Sequence, residues 1–194
     1  MAKEKMDCKE LLFVKTDEDI FTGQRLSFKY KGAGIELIAD EINNTFVFPE
    51  ILDKKNLETL DYIKNHNCVA IHARRGDMLG GNYIYYATGF FKRAVRYIRK
   101  HTENPVFFIF CDPGSVQWAV DNANILGLYP NKDEIHFVDW NKSSDSYRDM
   151  QLMSACKHQI ITNSTFGWWA AWMNKNPDKI TISPEYKINT THTV

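Results

Sequence analysis

The chain has no excess of either charge: 24 lysines and arginines stand against 24 aspartates and glutamates, for a formal net charge of zero at pH 7. Bulk nucleic-acid binding rests on a basic footprint, so that class is excluded as a main role, while one local basic pocket is not. Cysteine is scarce. Cys8, Cys68, Cys111 and Cys156 form no Cys-x-x-Cys pair, and no His/Cys cluster has zinc-ligand spacing. Three of the four lie in apolar segments, where they behave as small core residues. No apolar run approaches the length that crosses a bilayer. The opening Met1-Ala-Lys-Glu-Lys-Met-Asp7 is charged where a secretory signal is apolar. A reduced, cytoplasmic protein is the expectation. Glycine never falls into a Gly-x-Gly-x-x-Gly pattern after a strand, so the usual dinucleotide fingerprint is missing and any nucleotide must be held another way. Internal repeats and low-complexity linkers are absent as well.

What is present fits a globular domain. A chain of 194 residues can bury one substantial core, and its aromatic content of 13% includes Trp118, Trp140, Trp168, Trp169 and Trp172. From about residue 60 the pattern alternates. Helical spacing covers 57–65, an apolar run 68–74 reads as a buried strand, and 86–101 repeats apolar residues at Phe90, Phe91, Ala94, Val95 and Ile98. Strands are expected at 106–111, 135–138, 159–162 and 179–183, with helices at 115–124, 145–157 and 165–174 between them. Ser146 and Asp149 are placed like a capping pair. Strands separated by helices of this length imply right-handed crossovers, hence an α/β fold: a Rossmann-like parallel sheet flanked by helices over 57–194. Residues 1–56 read as a short N-terminal segment of open structure. Within it Leu11-Leu-Phe-Val14 and Thr45-Phe-Val-Phe48 resemble short strands, and 21–38 shows no clear period.

Three polar clusters follow strands on the expected carboxyl edge of that sheet, where open α/β sheets bind ligands. The first is His72-Ala-Arg-Arg-Gly-Asp77, followed by a loop rich in Gly and Asn (Gly80-Gly81-Asn82). Two guanidinium groups there suit a diphosphate, which they grip with paired, charge-assisted bonds. Arg74 and Arg75 start on opposite faces of the strand. Ion pairing at a solvated strand end explains adjacent arginines equally well, with Asp77 as the neutralising partner. Arg75-Gly76-Asp77 is also the adhesion tripeptide, but nothing else points to an extracellular protein. The second cluster, 139–149, holds Asp145, Ser146 and Arg148. The third, 163–169, brings Asn163, Ser164, Thr165 and Phe166 to a helix start, where hydroxyls and free amides bind phosphate. Simple helix capping accounts for either cluster alone; three at one edge favour a binding cleft. Trp168, Trp169 and Trp172 are expected mostly in the core, with one available to line the cleft.

Taken in order, His72 to Asp77, Val138-Asp-Trp-Asn-Lys-Ser-Ser-Asp-Ser-Tyr-Arg-Asp-Met-Gln-Leu-Met153 and Ile161-Thr-Asn-Ser-Thr-Phe-Gly-Trp-Trp-Ala-Ala-Trp172 resemble glycosyltransferase family 11, the bacterial and animal α-1,2-fucosyltransferases. The resemblance spans roughly residues 57–187. It implies the nucleotide-sugar-binding half of a GT-B-type enzyme, which moves L-fucose from GDP-fucose to a galactoside hydroxyl with inversion, without metal or other cofactor. The family's Gly-Gly-Leu-Gly-Asn-Gln-like segment has no counterpart here. A truncated member is therefore expected, or one completed by a partner chain or a second copy, with at most peripheral membrane contact.

On that resemblance Arg75 is the favoured ligand of the β-phosphate, with Arg74 orienting the loop or the nucleobase. Ser164 and Thr165 would hold the diphosphate, and Asp145, Ser146 or Arg148 would address guanine or ribose. Asp77 is the candidate to deprotonate the acceptor, and His72 is read as structural. Two other classes compete: a non-catalytic GDP-sugar-binding or interaction module of the same fold, and a nucleotide-binding oxidoreductase subunit, against which the absent Gly-rich turn speaks.

Overall fold

A computed structural model of the chain describes residues 35–76 and 79–184. The described residues from Glu50 onward form one compact unit, and those before it belong to another. In that first unit a 3-10 turn at Ile35–Ile38 leads into helix α1, Ala39–Thr45. The strand expected at Thr45–Phe48 is not formed: Thr45 ends the helix and the next residues are irregular. The segment Leu11–Val14 lies outside the described residues.

The larger unit begins with α2, Lys54–Asn65. Asp53 caps it by accepting the Asn56 N–H at 2.8 Å, which stands in for a missing helical partner and holds the Asp53 carboxyl below the usual carboxylate range. Strand β1, Cys68–Ala73, is buried along its whole length. Helices α3, Leu79–Ala87, and α4, Phe90–His101, follow where the sequence pointed to a Gly/Asn loop and one helix from 86 to 101. Gly89, at φ 72°, breaks them in the left-handed region that glycine tolerates. The Gly80-Gly81 pair thus sits inside a helix despite its low propensity. Tertiary bonds hold that helix: Asn82 Nδ2 and the Tyr86 hydroxyl both donate to the Arg74 carbonyl, at 3.1 and 3.0 Å. Strand β2, Val106–Cys111, precedes α5, Val116–Asp121; β3 spans Ile135–Val138 and α6 Tyr147–Ala155. Strand β4, His158–Ile160, helix α7, Thr165–Met173, and β5, Thr181–Ile182, complete the described order.

All the strands pair in parallel, in the order β3-β2-β1-β4-β5. The chain leaves β1 outward in one direction through β2 and β3, then returns to β1's other side at β4. That reversal creates a crevice beyond the carboxyl ends of β1 and β4, the usual ligand position in such sheets. Pleating divides the core between two faces. Val69, Ile71, Phe107 and Ile109 pack with Tyr86, Phe91, Val95 and Ile98 of α3 and α4, while Cys68, Ala70, Phe108 and Phe110 pack with Ile63, Leu152, Met153 and Ala170 of α2, α6 and α7. Phe91, Phe107 and Phe110 are fully buried, each worth roughly 1.5–3 kcal/mol in apolar surface withdrawn from water. The basic last turn of α4, Arg99, Lys100 and His101, complements the negative end of its helix dipole. Cys68, Cys111 and Cys156 are free thiols, as expected for core residues. Among the described residues no helix is long and apolar enough to cross a membrane.

Candidate functional site

A cleft of about 190 Å³ opens at the carboxyl ends of β1, β2 and β3 and against the start of α7. Strand β1 contributes His72, and Arg74, just past the strand's end, lines the same cavity. The end of β2 contributes Cys111 and Asp112, the turn after β3 contributes Asn141, Lys142, Ser143 and Ser146, α6 contributes Asp149 and α7 contributes Phe166.

Asp112 organises the arginine turn. One carboxylate oxygen receives Arg74 Nη1, and the other accepts the backbone N–H of Arg75 at 2.7 Å. A carboxylate that takes a guanidinium and a main-chain donor together fixes both the side chain and the loop. Arg75 points the other way. Its guanidinium carbon lies 3.4 Å from the centre of the Trp118 ring and 5.1 Å from that of Tyr86, on the face covered by α3 and α5, and it is not among the residues lining the cleft. The two arginines do diverge as alternation along a strand requires, and Arg74 is the one that faces the cavity.

His72 is 4% exposed, and its Nδ1 has no hydrogen-bond partner. Burial, helped by the nearby Arg74 charge, pushes its pKa down to about 3, so the imidazole is neutral. Its ring centroid lies 5.5 Å from that of Phe166. Gly167 makes this approach of α7 to β1 feasible: a Cβ there would come within 2.7 Å of His72 Nδ1 and 3.2 Å of Ile161 Cβ. Cys111 is raised to about 12, chiefly by burial, which keeps it a thiol.

Asp149 is a cleft residue that the sequence alone does not single out as a site residue. Burial raises its carboxyl to about 6, against a lowering hydrogen bond from Asn141 Nδ2 at 2.8 Å. The capping role expected of it is not realised: Ser146 makes no side-chain cap bond, and Asp149 turns instead to Asn141 and the cleft. Its spacing three residues after Ser146 suits a cap, and only burial distinguishes the two roles. Lys142 and Ser143 are further cleft residues without a sequence signal of their own, although they lie in the second polar cluster.

The remaining sequence candidates lie outside this cavity lining. Asp145 is exposed in the 3-10 turn Ser143–Asp145. Arg148 donates to Gln151 Oε1 and to the Glu50 carbonyl, each at 2.7 Å. Asn163, Ser164 and Thr165 are half-buried around the start of α7, where Ser164 is the N-cap residue but makes no side-chain cap bond. Asp77 lies outside the described residues. Trp168, Trp169 and Trp172 are half-buried; Trp168 stacks on Trp172 at 5.2 Å and meets Trp169 edge-on at 5.0 Å, and none of the three lines the cleft.

Comparison with known proteins agrees with this architecture. The sequence profile of Glycosyl transferase family 11 matches residues 38–192. Over 126 residues the chain is 34% identical to the O-antigen biosynthesis glycosyltransferase WbnK of Escherichia coli, covering 62% of this chain and 39% of that protein. It is 33% identical over 138 residues to an alpha-1,2-colitosyltransferase of Escherichia coli, covering 69% and 44%. Identity to galactoside alpha-(1,2)-fucosyltransferase 1 of Leontocebus fuscicollis is 26% over 110 residues, covering 54% and 28%. The chain spans less than half the length of each of these relatives.

Proposed function

This chain belongs to glycosyltransferase family 11, and we propose that its cleft binds GDP-fucose and supports transfer of L-fucose, with inversion and in α-1,2 linkage, to a galactoside hydroxyl in glycan or surface-polysaccharide synthesis. One observation carries the reading. A guanidinium held by Asp112 and a half-buried carboxyl, Arg74 and Asp149, line one cavity at the carboxyl edge of a parallel sheet, which offers a cation for a diphosphate and an acceptor for a base.

As the bond between sugar and phosphate oxygen breaks, negative charge builds on the β-phosphate. A guanidinium already oriented toward that position stabilises the transition state more than the ground state, because no reorganisation is needed when the charge appears. We assign this role to Arg74, with Lys142 as a second cation at the rim, and give Arg75 the task of holding the loop through Trp118. Metal is not required in this scheme. Asp149, mostly ionised at neutral pH, would accept the N1–H and N2–H donors of guanine, a pair that adenine does not present. Ser146 would address the ribose, and Ser164 and Thr165 the diphosphate. His72, neutral and buried, shapes the wall without exchanging protons.

The relative named an alpha-1,2-colitosyltransferase makes colitose the alternative sugar. A second reading is a GDP-sugar-binding chain of the same fold that does not itself carry out transfer. The test is incubation of the full chain with a galactoside acceptor and either GDP-fucose or GDP-colitose, with NMR of the product's anomeric centre. An α-linked fucosyl product of configuration opposite to the donor's is expected. Retained configuration contradicts inversion, GDP binding without transfer selects the second reading, and absence of GDP binding removes both.

A further inference from the structure

Behind Asp149 lies a buried pair of side-chain amides. Asn56, 3% exposed, is in the first turn of α2; Asn141, 8% exposed, follows β3. Asn56 Nδ2 donates to Asn141 Oδ1 at 2.7 Å, and Asn141 Nδ2 donates back to Asn56 Oδ1 at 3.1 Å. The second hydrogen of each amide is also placed. That of Asn56 goes to Asp53 Oδ2 at 3.0 Å, and that of Asn141 goes to Asp149 Oδ1 at 2.8 Å. Trp140 Nε1 adds a further bond to Asn56 Oδ1 at 2.8 Å.

The network has a direction. Asp53 accepts both the backbone N–H and the Nδ2 of Asn56, so the Asn56 amide nitrogen must face the helix cap and its oxygen must face Trp140 and Asn141. If the Asn141 amide turned over, its oxygen would meet the Asn56 oxygen and the Asp149 carboxylate, leaving acceptors opposed in a buried site. Such unpaired groups are costly, so the cap of α2 dictates that a donor points at Asp149. Packing alone requires none of this, because an apolar pair anchors a loop without two buried amides to satisfy.

We infer that Asn56 and Asn141 are positioning residues that hold Asp149 Oδ1, leave the rest of its carboxylate to the cleft, and thereby set selectivity for guanine among nucleobases. The inference rests on the donor reading above. A carboxylate fixed in its plane discriminates between bases that differ by one donor, whereas one free to rotate accommodates either.

The experiment is calorimetric titration of the full chain with GDP and with IDP, which lacks the 2-amino donor, for the wild type, Asn141→Ala and Asn56→Ala. The Asn56 variant leaves both partners of the Asn141–Asp149 bond in place, and circular dichroism establishes that each variant is folded. The wild type is expected to favour GDP over IDP by about tenfold or more, the scale of one hydrogen bond to a charged group. In both variants that ratio should fall to about threefold or less while IDP affinity changes little. An unaltered ratio in either folded variant overturns the inference, as does equal loss of both nucleotides or failure of both variants to fold. A wild type that binds neither nucleotide defeats the donor reading itself, and this inference with it. GDP binding with a ratio insensitive to the variants defeats only the positioning role.

Discussion

Replacing Asp149 by asparagine separates stability from function. Burial raises the Asp149 carboxyl from its ordinary 3.8 to about 6. A carboxyl whose folded pKa lies above its unfolded one binds its proton more tightly in the native state, so ionisation opposes folding. The penalty is absent below about pH 4, grows as pH rises through the interval, and is complete above about pH 6. Two pKa units at about 1.4 kcal/mol each give an upper bound near 3 kcal/mol. The substituted amide would keep an oxygen to accept from Asn141 while removing the buried charge. The Asp149→Asn chain is therefore expected to be more stable at pH 7.5 by up to about 3 kcal/mol, with the gain shrinking through pH 6 and vanishing near pH 4. Urea unfolding followed by tryptophan fluorescence at several pH values measures it. The same substitution should weaken GDP binding, because an amide presents donors to guanine's donors. A variant less stable than wild type at pH 7.5, or a stability difference that does not vary with pH, refutes the reasoning.

Further predictions concern the walls of the cleft. Gly167→Ala drives a methyl group into His72 and Ile161 and should cost about 1–3 kcal/mol, read as a lowered thermal midpoint. Asp112→Ala leaves Arg74 and the Arg75 N–H without their common partner and should cost about 2–3 kcal/mol in urea unfolding.

Much of the fold was legible because a parallel strand buried on both faces is a continuous apolar run. Val106–Cys111 is such a run and ends where the sequence placed it, as does the half-buried edge strand Ile135–Val138. Helix α3 was not legible, since Gly80 and Gly81 argue locally for a loop, and what holds the helix, Asn82 and Tyr86 bonding to Arg74, is tertiary. The divergence of Arg74 and Arg75 follows from strand alternation alone. Which of them faces the cleft depends on where α5 puts Trp118, a matter of packing. Asn56 and Asn141 carry no sequence signal for a related reason: 85 residues separate them, and neither bears a charge or sits in a periodic pattern. The edge of the sheet was thus predictable from the sequence, while the polar groups that complete its cleft were set by burial.

The most direct measurement is calorimetric titration of the full chain with GDP, for the wild type, Arg74→Ala and Arg75→Ala. Saturable binding that Arg74→Ala weakens by at least about tenfold is expected, the scale of a lost charge-assisted bond. Arg75→Ala should retain most of the affinity and lose stability instead, through the contact with Trp118. Absence of GDP binding by the folded wild type, or an affinity that depends on Arg75 and not on Arg74, would contradict the proposed donor site.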